Sequence, residues 1–302
     1  MGRMKQVRRI KLLLVISFVV LSGTAFMPRM SFAEKDAGKS FEEYLSLAKQ
    51  GDAKAQLYIG DMYDKGLGVQ HDDKEAVRWF RKAAEQGEVA AQAHLGAMYA
   101  VGDGVSQDYK EAERWFRKAA EQGNADAQGF LGGMYTFGHG VPQDYKLALK
   151  WYRKSAKQGN ANAQYCLGMM YLEGYGVPKD DKEAVKWYRK AAEQGLADAQ
   201  CKIGRHYVLG MDYKEAAKWY HKAAEQGNAY AQLNLGGMYM NGKGVPQDNV
   251  ESYAWLNISA TQAEKYASKH RDSVAKKLSP EALAKAQELS KEYYKKYVEP
   301  FQ

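Results

Sequence analysis

The sequence predicts an all-α fold: a right-handed α/α superhelical solenoid of about six two-helix repeats, with an N-terminal half-repeat and C-terminal capping helices. Two observations carry the prediction. A closing glycine recurs at four spacings of 36 residues and one of 32, at Gly51, Gly87, Gly123, Gly159, Gly195 and Gly227. All six tryptophans keep one register, at Trp79, Trp115, Trp151, Trp187, Trp219 and Trp255. A repeat of this length grows by stacking and needs no single globular core.

The repeat also sets the predicted domain boundaries. We expect a signal peptide at 1–33, a spacer at 34–39, an N-terminal capping helix at 40–51, and repeats at 52–87, 88–123, 124–159, 160–195, 196–227 and 228–263. The six repeats together span residues 52–263, and residues 264–302 are expected to form C-terminal capping helices.

The amino terminus has the features of a secretory signal. A basic segment ends at Lys11, an apolar run extends from Leu12 to Met27, and small residues precede a cleavage site after Ala33. An uncleaved anchor and a cytosolic start are the alternatives, and Arg8-Arg9 leaves twin-arginine export open. We therefore expect a periplasmic or secreted protein, with membrane contact only if the segment is not cleaved.

The net charge of +8 comes mostly from that segment. Residues 1–33 hold six basic residues and no acidic one, so the rest of the chain has a net charge of +2. A chain so close to neutral carries no broad basic surface for nucleic acid, and we expect no nucleic-acid partner.

The first helix of each repeat follows the closing glycine. Glycine suits the left-handed position that ends the preceding helix, and a following Asn or Asp, as in Gly123-Asn124, can cap the next one. Leu131 and Tyr135 then lie four residues apart on one face, beside Gly132, where a neighbouring helix can come close. A G-x-G-V turn ends this helix.

The second helix starts at an aspartate with a glutamate three residues on in most repeats, which predicts a capping box. In the fourth repeat an apolar stripe follows, with the basic side chains facing water; its members are Ala184, Trp187, Tyr188, Ala191 and Ala192. The fifth repeat lacks four residues and the G-x-G-V turn, so we expect a local change of twist or a notch there. Ser279-Pro280 predicts the start of a last helix that ends near Tyr297.

The ordered motifs A-x-A-Q-x-x-L-G-x-M-Y, G-x-G-V-P-x-D and K-E-A-x-x-W-[FY]-x-K-A-A-E-Q-G resemble the Sel1-like repeat family, in its extracytoplasmic bacterial form, over residues 40–263. The tail from Arg271 to Gln287 is similar to the usual ending of these proteins. The resemblance implies a solenoid related to tetratricopeptide repeats that serves protein–protein interaction. One cysteine-rich branch of the family has been linked to β-lactam hydrolysis, but it carries a cysteine pair in each repeat and this chain does not.

The residues offer little support for catalysis. No histidine pair has a metal-binding spacing, and no G-x-S-x-G motif or phosphate-binding loop occurs. His94 and His206 stand at packing-type positions. The two cysteines, Cys166 and Cys201, are offset by one position between neighbouring repeats, so two buried or half-buried thiols are favoured over a disulfide, which stays open. We predict no catalytic residues, no metal and no cofactor.

The candidates for partner contact are the positions at which the residue type varies from one repeat to the next. By analogy with tetratricopeptide stacks, these positions of the first helices line the concave face, and we call this surface the first-helix face. The ten residues of the first-helix face that we predict to bind a partner are Leu57, Asp61, Asp64, Phe137, Tyr165, Met169, Leu172, Arg205, Val208 and Met240. Small, apolar and aromatic side chains suit a peptide laid in a groove. The alternative is that these residues pack on neighbouring helices and that binding uses another surface.

The predicted function is a non-catalytic adaptor or scaffold of the cell envelope that binds a protein or peptide through the first-helix face. The first alternative is an envelope hydrolase with β-lactamase-like or peptidoglycan-directed activity. The second is an anchored scaffold that binds glycan or cell-wall polymer.

Overall fold

The computed structural model describes residues 40–262, 264 and 266–301. Its α-helices are α1 Phe41–Lys49, α2 Ala53–Lys65, α3 Asp73–Glu85, α4 Val89–Val101, α5 Tyr109–Glu121, α6 Ala125–Phe137, α7 Tyr145–Lys157, α8 Ala161–Glu173, α9 Asp181–Glu193, α10 Ala197–Leu209, α11 Tyr213–Ala224, α12 Ala229–Asn241, α13 Asn249–Thr261, α14 Ala267–Ala275 and α15 Pro280–Tyr297. A short 3₁₀ helix follows at Glu299–Phe301. The described residues form no strand, and six helix pairs follow one another, so the all-α solenoid of about six two-helix repeats is confirmed.

The chain divides into two compact units. The first contains the described residues up to Ala163 together with Tyr175–Val177, and it holds α1 and the first three helix pairs. The second contains Gln164–Gly174 and the described residues from Pro178 onward, and it holds α9 to α15.

Aspartate caps start the second helices, but the predicted capping box is incomplete there. In the second repeat, Asp108 accepts hydrogen bonds from the backbone N–H groups of Lys110 and Glu111 at 2.9 and 3.1 Å. The backbone N–H of Asp108 already donates to the Tyr99 carbonyl of the first helix, at 2.9 Å. Glu111 therefore does not reach back to the cap, and pairs instead with Arg114 at 3.1 Å. The complete box forms at the start of α1.

A glutamine in each first helix joins consecutive helices. In the third repeat, Gln128 donates to the Ala120 carbonyl at 3.0 Å and accepts from Gln158 at 2.8 Å. The same 2.8 Å amide pair recurs at Gln56–Gln86, Gln92–Gln122, Gln164–Gln194, Gln200–Gln226 and Gln232–Gln262. Because a buried amide without partners is costly, the buried glutamine of the first helix explains why a second glutamine recurs to donate to it.

Tight packing of the two helices in a repeat explains its internal glycine. A Cβ added to Gly132 would lie 2.6 Å from the ring of Tyr152, so the ring rests directly on the backbone of α6. Beside it, the indole of Trp151, which recurs at the same place in each repeat, lies under Lys154, whose Nζ is 4.5 Å from the ring centroid. The equivalent Lys190, expected to face water alone, covers Trp187 in the same way.

The G-x-G-V turn of one repeat packs on the second helix of the preceding repeat. A Cβ added to Gly140 would lie 2.5 Å from the carbonyl carbon of Tyr109 and closer still to its oxygen, which only glycine permits. The same arrangement recurs for Gly104 on Asp73, Gly176 on Tyr145 and Gly244 on Tyr213. We call this contact the turn contact. It explains why the second glycine of the motif repeats.

The fifth repeat makes a different connection. Gly210, Met211 and Asp212 join α10 to α11, and no glycine turn is present. Gly210 has φ −81°, whereas Met211 takes the left-handed conformation with φ 60°. The start of α9 therefore lacks a turn contact from the next repeat.

Two helices cover the end of the sixth repeat. Trp255 of α13 is 1% exposed, and its ring lies 4.6 Å from that of Tyr293 in α15. Tyr293 also donates to the Glu251 carboxylate at 3.0 Å. The last helix begins at Pro280 with Ser279 as its cap and ends at Tyr297, as its sequence predicts.

Candidate partner-binding face

The ten predicted residues all lie on first helices. Leu57, Asp61 and Asp64 lie on α2, Phe137 on α6, Tyr165, Met169 and Leu172 on α8, Arg205 and Val208 on α10, and Met240 on α12. The first four belong to the first unit and the other six to the second unit.

The ten residues differ in solvent exposure: two are buried, one is exposed and seven are half-buried. Leu57 is 6% exposed and packs in a core cluster with α3 and α4, so it has little surface left for a partner. Asp61 is buried to the same degree. Arg205 is exposed, and the remaining seven are half-buried: Asp64, Phe137, Tyr165, Met169, Leu172, Val208 and Met240. Half-buried side chains are held in place by the scaffold and still present a surface.

In the first unit the face is acidic and surrounds a buried histidine. His94 of α4 is 8% exposed and stacks on Phe80 at 4.8 Å between ring centroids, which fits its packing-type position in the sequence. Its Nε2 lies 3.8 Å from Oδ1 of Asp61. Asp64 and Asp126 also act on the charge of His94, so the first helices of three repeats contribute to one cluster.

Burial sets the protonation of this cluster. Loss of solvent lowers the pKa of His94, and the carboxylates of Asp61 and Asp64 oppose that shift. Burial likewise raises the pKa of Asp64, with His94 acting in the opposite direction. We expect His94 to be neutral near pH 7, where the surrounding carboxylates keep the local surface negative, with Lys65 as the neighbouring cation.

In the second unit the face is aromatic. The Tyr165 ring lies 5.5 Å from that of Tyr188 in α9. Burial, followed by the nearby Asp198 carboxylate, raises the pKa of Tyr165 far above its ordinary value. The phenol therefore stays neutral and can donate or accept a hydrogen bond. Met169 and Leu172 lie on the same helix, so α8 presents one aromatic and two aliphatic side chains.

Both cysteines are buried free thiols. Burial raises the pKa of Cys201 to about 12, and Asp198 adds to the shift while Lys202 and Arg205 oppose it. A protonated, buried thiol is a poor nucleophile and a poor metal ligand. The cysteines act as small packing residues beside the face.

The described part of the chain shows no other obvious chemistry. Among those residues, no group of three or more His, Cys, Asp or Glu side chains could hold a metal ion. No helix within the described ranges has the length and apolar character needed to cross a membrane. The predicted signal peptide at 1–33 and the spacer at 34–39 lie outside the described residues.

Two polar residues of this face were missed by sequence reasoning. Asp126 accepts a 2.8 Å hydrogen bond from Asn160, and Asp198 accepts one of equal length from Asn228. Each pair joins the x position of A-x-A-Q to the cap of the next repeat. The signal was available, because Asp and Asn occupy these two positions together in both places. These bonds hold two carboxylates on the face.

Comparison with known proteins supports this architecture. The family model described as Sel1 repeat matches residues 53–88, 89–124, 125–160, 161–196, 197–228 and 229–263. A search of curated proteins finds no match.

Two solved structures resemble the chain throughout most of its length. A Sel1 repeat protein from Oxalobacter formigenes is 38% identical with a TM-score of 0.69, covering 76% of this chain and 96% of that one. A protective antigen present in uropathogenic Escherichia coli strains, displaying an SLR fold, is 35% identical with a TM-score of 0.61. That match covers 86% of this chain but 65% of the antigen, so the chain spans less than two thirds of it. These likenesses point to a scaffold for protein interaction.

Proposed function

The chain belongs to the Sel1 repeat family, and from this premise we propose that it is a non-catalytic adaptor of the cell envelope. In this proposal it binds a protein or peptide through the first-helix face.

The half-buried side chains of α8 carry the proposal. Packing between helices uses the positions that repeat, such as Leu167, which is fully buried. Tyr165, Met169 and Leu172 change between repeats and keep part of their surface accessible. Residues that a fold does not need, and that present rigid apolar surface, are typical of the centre of a protein interface.

The first unit suggests the charge of what binds there. Asp61, Asp64 and Asp126 act on the charge of His94, and among the residues that the structure describes Lys65 is the cation that acts on it. A basic side chain of the partner would gain favourable electrostatic contact with this surface, which contributes more to orientation and association rate than to affinity.

The envelope location depends on residues 1–33. Their basic, apolar and small-residue segments are those of an exported protein. Fractionation of the native cell, with the amino terminus of the mature protein sequenced, would test both export and cleavage after Ala33.

Binding is tested by crosslinking in the native cell. A photoreactive amino acid at Tyr165 should capture a protein partner, while the same group at Glu193, exposed on α9, should not. The variant carrying Tyr165→Ala and Met169→Ala should then bind that partner at least tenfold more weakly, because two anchors worth about 1 kcal/mol each are lost. Circular dichroism should be unchanged. Full binding by the double variant would remove the first-helix face from the proposal.

The hydrolase alternative has a direct test. Purified protein should not turn over a chromogenic β-lactam and should not be labelled by a serine-directed probe. Turnover that persists after contaminating enzymes have been removed would show that the protein is an enzyme and would contradict the non-catalytic adaptor. The cell-wall alternative would be favoured if the protein sedimented with purified cell wall.

A further inference from the structure

The turn of the fifth repeat exposes two large apolar side chains. Leu209 is 74% exposed and Met211 is 77% exposed, the highest values among the large hydrophobic residues that the structure describes. They are separated by one glycine. Isolated apolar residues on a surface are ordinary, whereas two nearly free ones at one turn mark a site where something can bind.

The backbone at this turn favours a function for Met211. It is the one non-glycine residue with positive φ in the described ranges, at 60°. Side chains of L-residues rarely adopt that conformation, while the adjacent Gly210 has an ordinary negative φ of −81°. The chain thus keeps a large apolar side chain at a position where glycine would be easier. Strain of this kind is concentrated at functional sites.

The start of α9, beside these two residues, lacks the glycine turn that packs on the start of the second helix in other repeats. In the turn contact defined above, a glycine turn packs on the first residue of the preceding second helix. The side chain between the two glycines lies over the same residue: His139 stacks on Tyr109 at 4.8 Å, and Lys243 lies 5.0 Å from the Tyr213 ring centroid. At α9 the equivalent first residue is Asp181. It is exposed, whereas Asp73, Tyr109, Tyr145 and Tyr213 are half-buried.

The uncovered turn and the exposed pair lie at one edge of the second unit. Helices α9 and α10 are joined by three residues and run antiparallel, with Arg189 donating to the Tyr207 hydroxyl at 3.1 Å. The start of α9 and the end of α10 are therefore neighbours. Asp181 is exposed and makes no ion pair with any described residue, so its carboxylate is accessible to a partner.

We propose that the first turn of α9, together with Leu209 and Met211, is a docking site for a glycine-containing basic turn of a partner protein. The chemistry of the partner segment that binds here is inferred from the turn contacts inside this chain. Glycine is required because, at the equivalent contacts, a Cβ would overlap the backbone. Lys or Arg beside it follows from charge complementarity with the exposed Asp181 carboxylate, and not from the chain's own turns, since the turn over Asp73 carries Asp103 at that place.

The third feature of the occupant is an aliphatic residue after the second glycine. In the chain's own turns, Val105 and Val245 pack partly buried against the core clusters of their repeats. A partner's aliphatic residue would cover Leu209 and Met211 in the same way. The partner segment therefore has the form G-K-G-V, as in the chain's own Gly242–Val245. The site lies on the turn edge, apart from the first-helix face, and does not depend on the function proposed above.

The test uses the full chain with ¹³C-labelled methionine methyl groups and a cyclic peptide that carries G-K-G-V. Titration should shift the Met211 methyl resonance and saturate with a Kd of about 0.1–1 mM, which corresponds to a binding free energy of about 4–5.5 kcal/mol. A peptide with alanine for the second glycine, and one with glutamate for lysine, should bind at least tenfold more weakly.

Variants of the chain complete the test. The pair Leu209→Ser and Met211→Gly lacks the Met211 methyl group, so its binding is followed by the fluorescence anisotropy of a dye-labelled G-K-G-V peptide, with the parent chain measured in the same way. The pair should weaken peptide binding at least tenfold without loss of stability, because glycine accepts φ 60° freely. Tyr266→Ser, which removes an apolar side chain that is 60% exposed elsewhere, should bind normally. The Tyr165→Ala and Met169→Ala variant should also bind normally, which separates this site from the first-helix face.

Three results would overturn the proposal. They are an unmoved Met211 resonance at 5 mM peptide, equal binding of the alanine peptide, and a Met211 shift that follows protein concentration alone. The last result would identify a second copy of the chain as the occupant.

Discussion

Replacing Gly140 by alanine tests how successive repeats are held together. Gly140 has φ 70°, and its added Cβ would lie 2.5 Å from the Tyr109 carbonyl carbon of the preceding repeat. Gly159 is a matched control, since it has φ 92° but its Cβ would meet nothing within 4 Å. Each substitution costs about 1–2 kcal/mol for the left-handed conformation. Gly140→Ala costs about 1–3 kcal/mol more, because the turn must move away from α5.

Urea unfolding measures the difference. Both variants and the parent chain would be followed by far-ultraviolet circular dichroism and by tryptophan fluorescence, and the shift of the midpoint compared. Because each repeat contacts only its neighbours, hydrogen exchange should show lost protection in Tyr109–Glu121 for Gly140→Ala and not for Gly159→Ala. Equal losses in the two variants would refute the turn contact as a stabilising interaction.

Two further predictions concern the core and pH. Trp255→Ala should lower the free energy of unfolding by about 4–5 kcal/mol and Trp187→Ala by about 3 kcal/mol, because Trp187 keeps more exposed surface; equal losses in urea unfolding would contradict this order. The lowered pKa of His94 means that this side chain binds a proton more readily in the unfolded chain, so its contribution to stability is lost as pH drops below about 6.5. His94→Phe, which copies the Phe130 that stands at this position in the next repeat, should reduce the loss of stability between pH 7 and pH 5.5 by up to about 1 kcal/mol, the value for a side chain that stays neutral in the folded state. A pH profile of thermal unfolding unchanged by the substitution would show that His94 does not titrate there.

Local features of the fold were predictable because they depend on neighbours in sequence. Helix starts follow from Asp and Asn caps, and helix ends from glycines that accept the left-handed conformation. The reciprocal half of the capping box was wrongly expected at the second helices. Its failure has a tertiary cause: the cap N–H of Asp108 is taken by the Tyr99 carbonyl of another helix, which frees Glu111 to pair with Arg114.

The sequence placed the ten candidate residues on first helices, where they lie, but it could not show which of them are used in packing. Drift between repeats identified Tyr165 and Met169, which the structure leaves half-buried. Drift alone could not show that Leu57 is used in packing, because its contacts are with α3 and α4. Nor could it show that Asp126 joins the cluster around His94, since those residues come from different repeats.

By itself the sequence determined the repeat, its two helices, their caps and the all-α class, because periodic apolar positions and glycines act within one or two turns of chain. Only the tertiary structure decided which residues of one repeat contact those of the next. Two such contacts, the Gln128–Gln158 amide pair and the packing of Gly140 on Tyr109, join residues about 30 positions apart. The exposure of Asp181 comes from the absence of the second kind of contact at α9. Only stacking brings such residues together, so only the folded chain shows which side chains are used in packing and which remain to bind a partner.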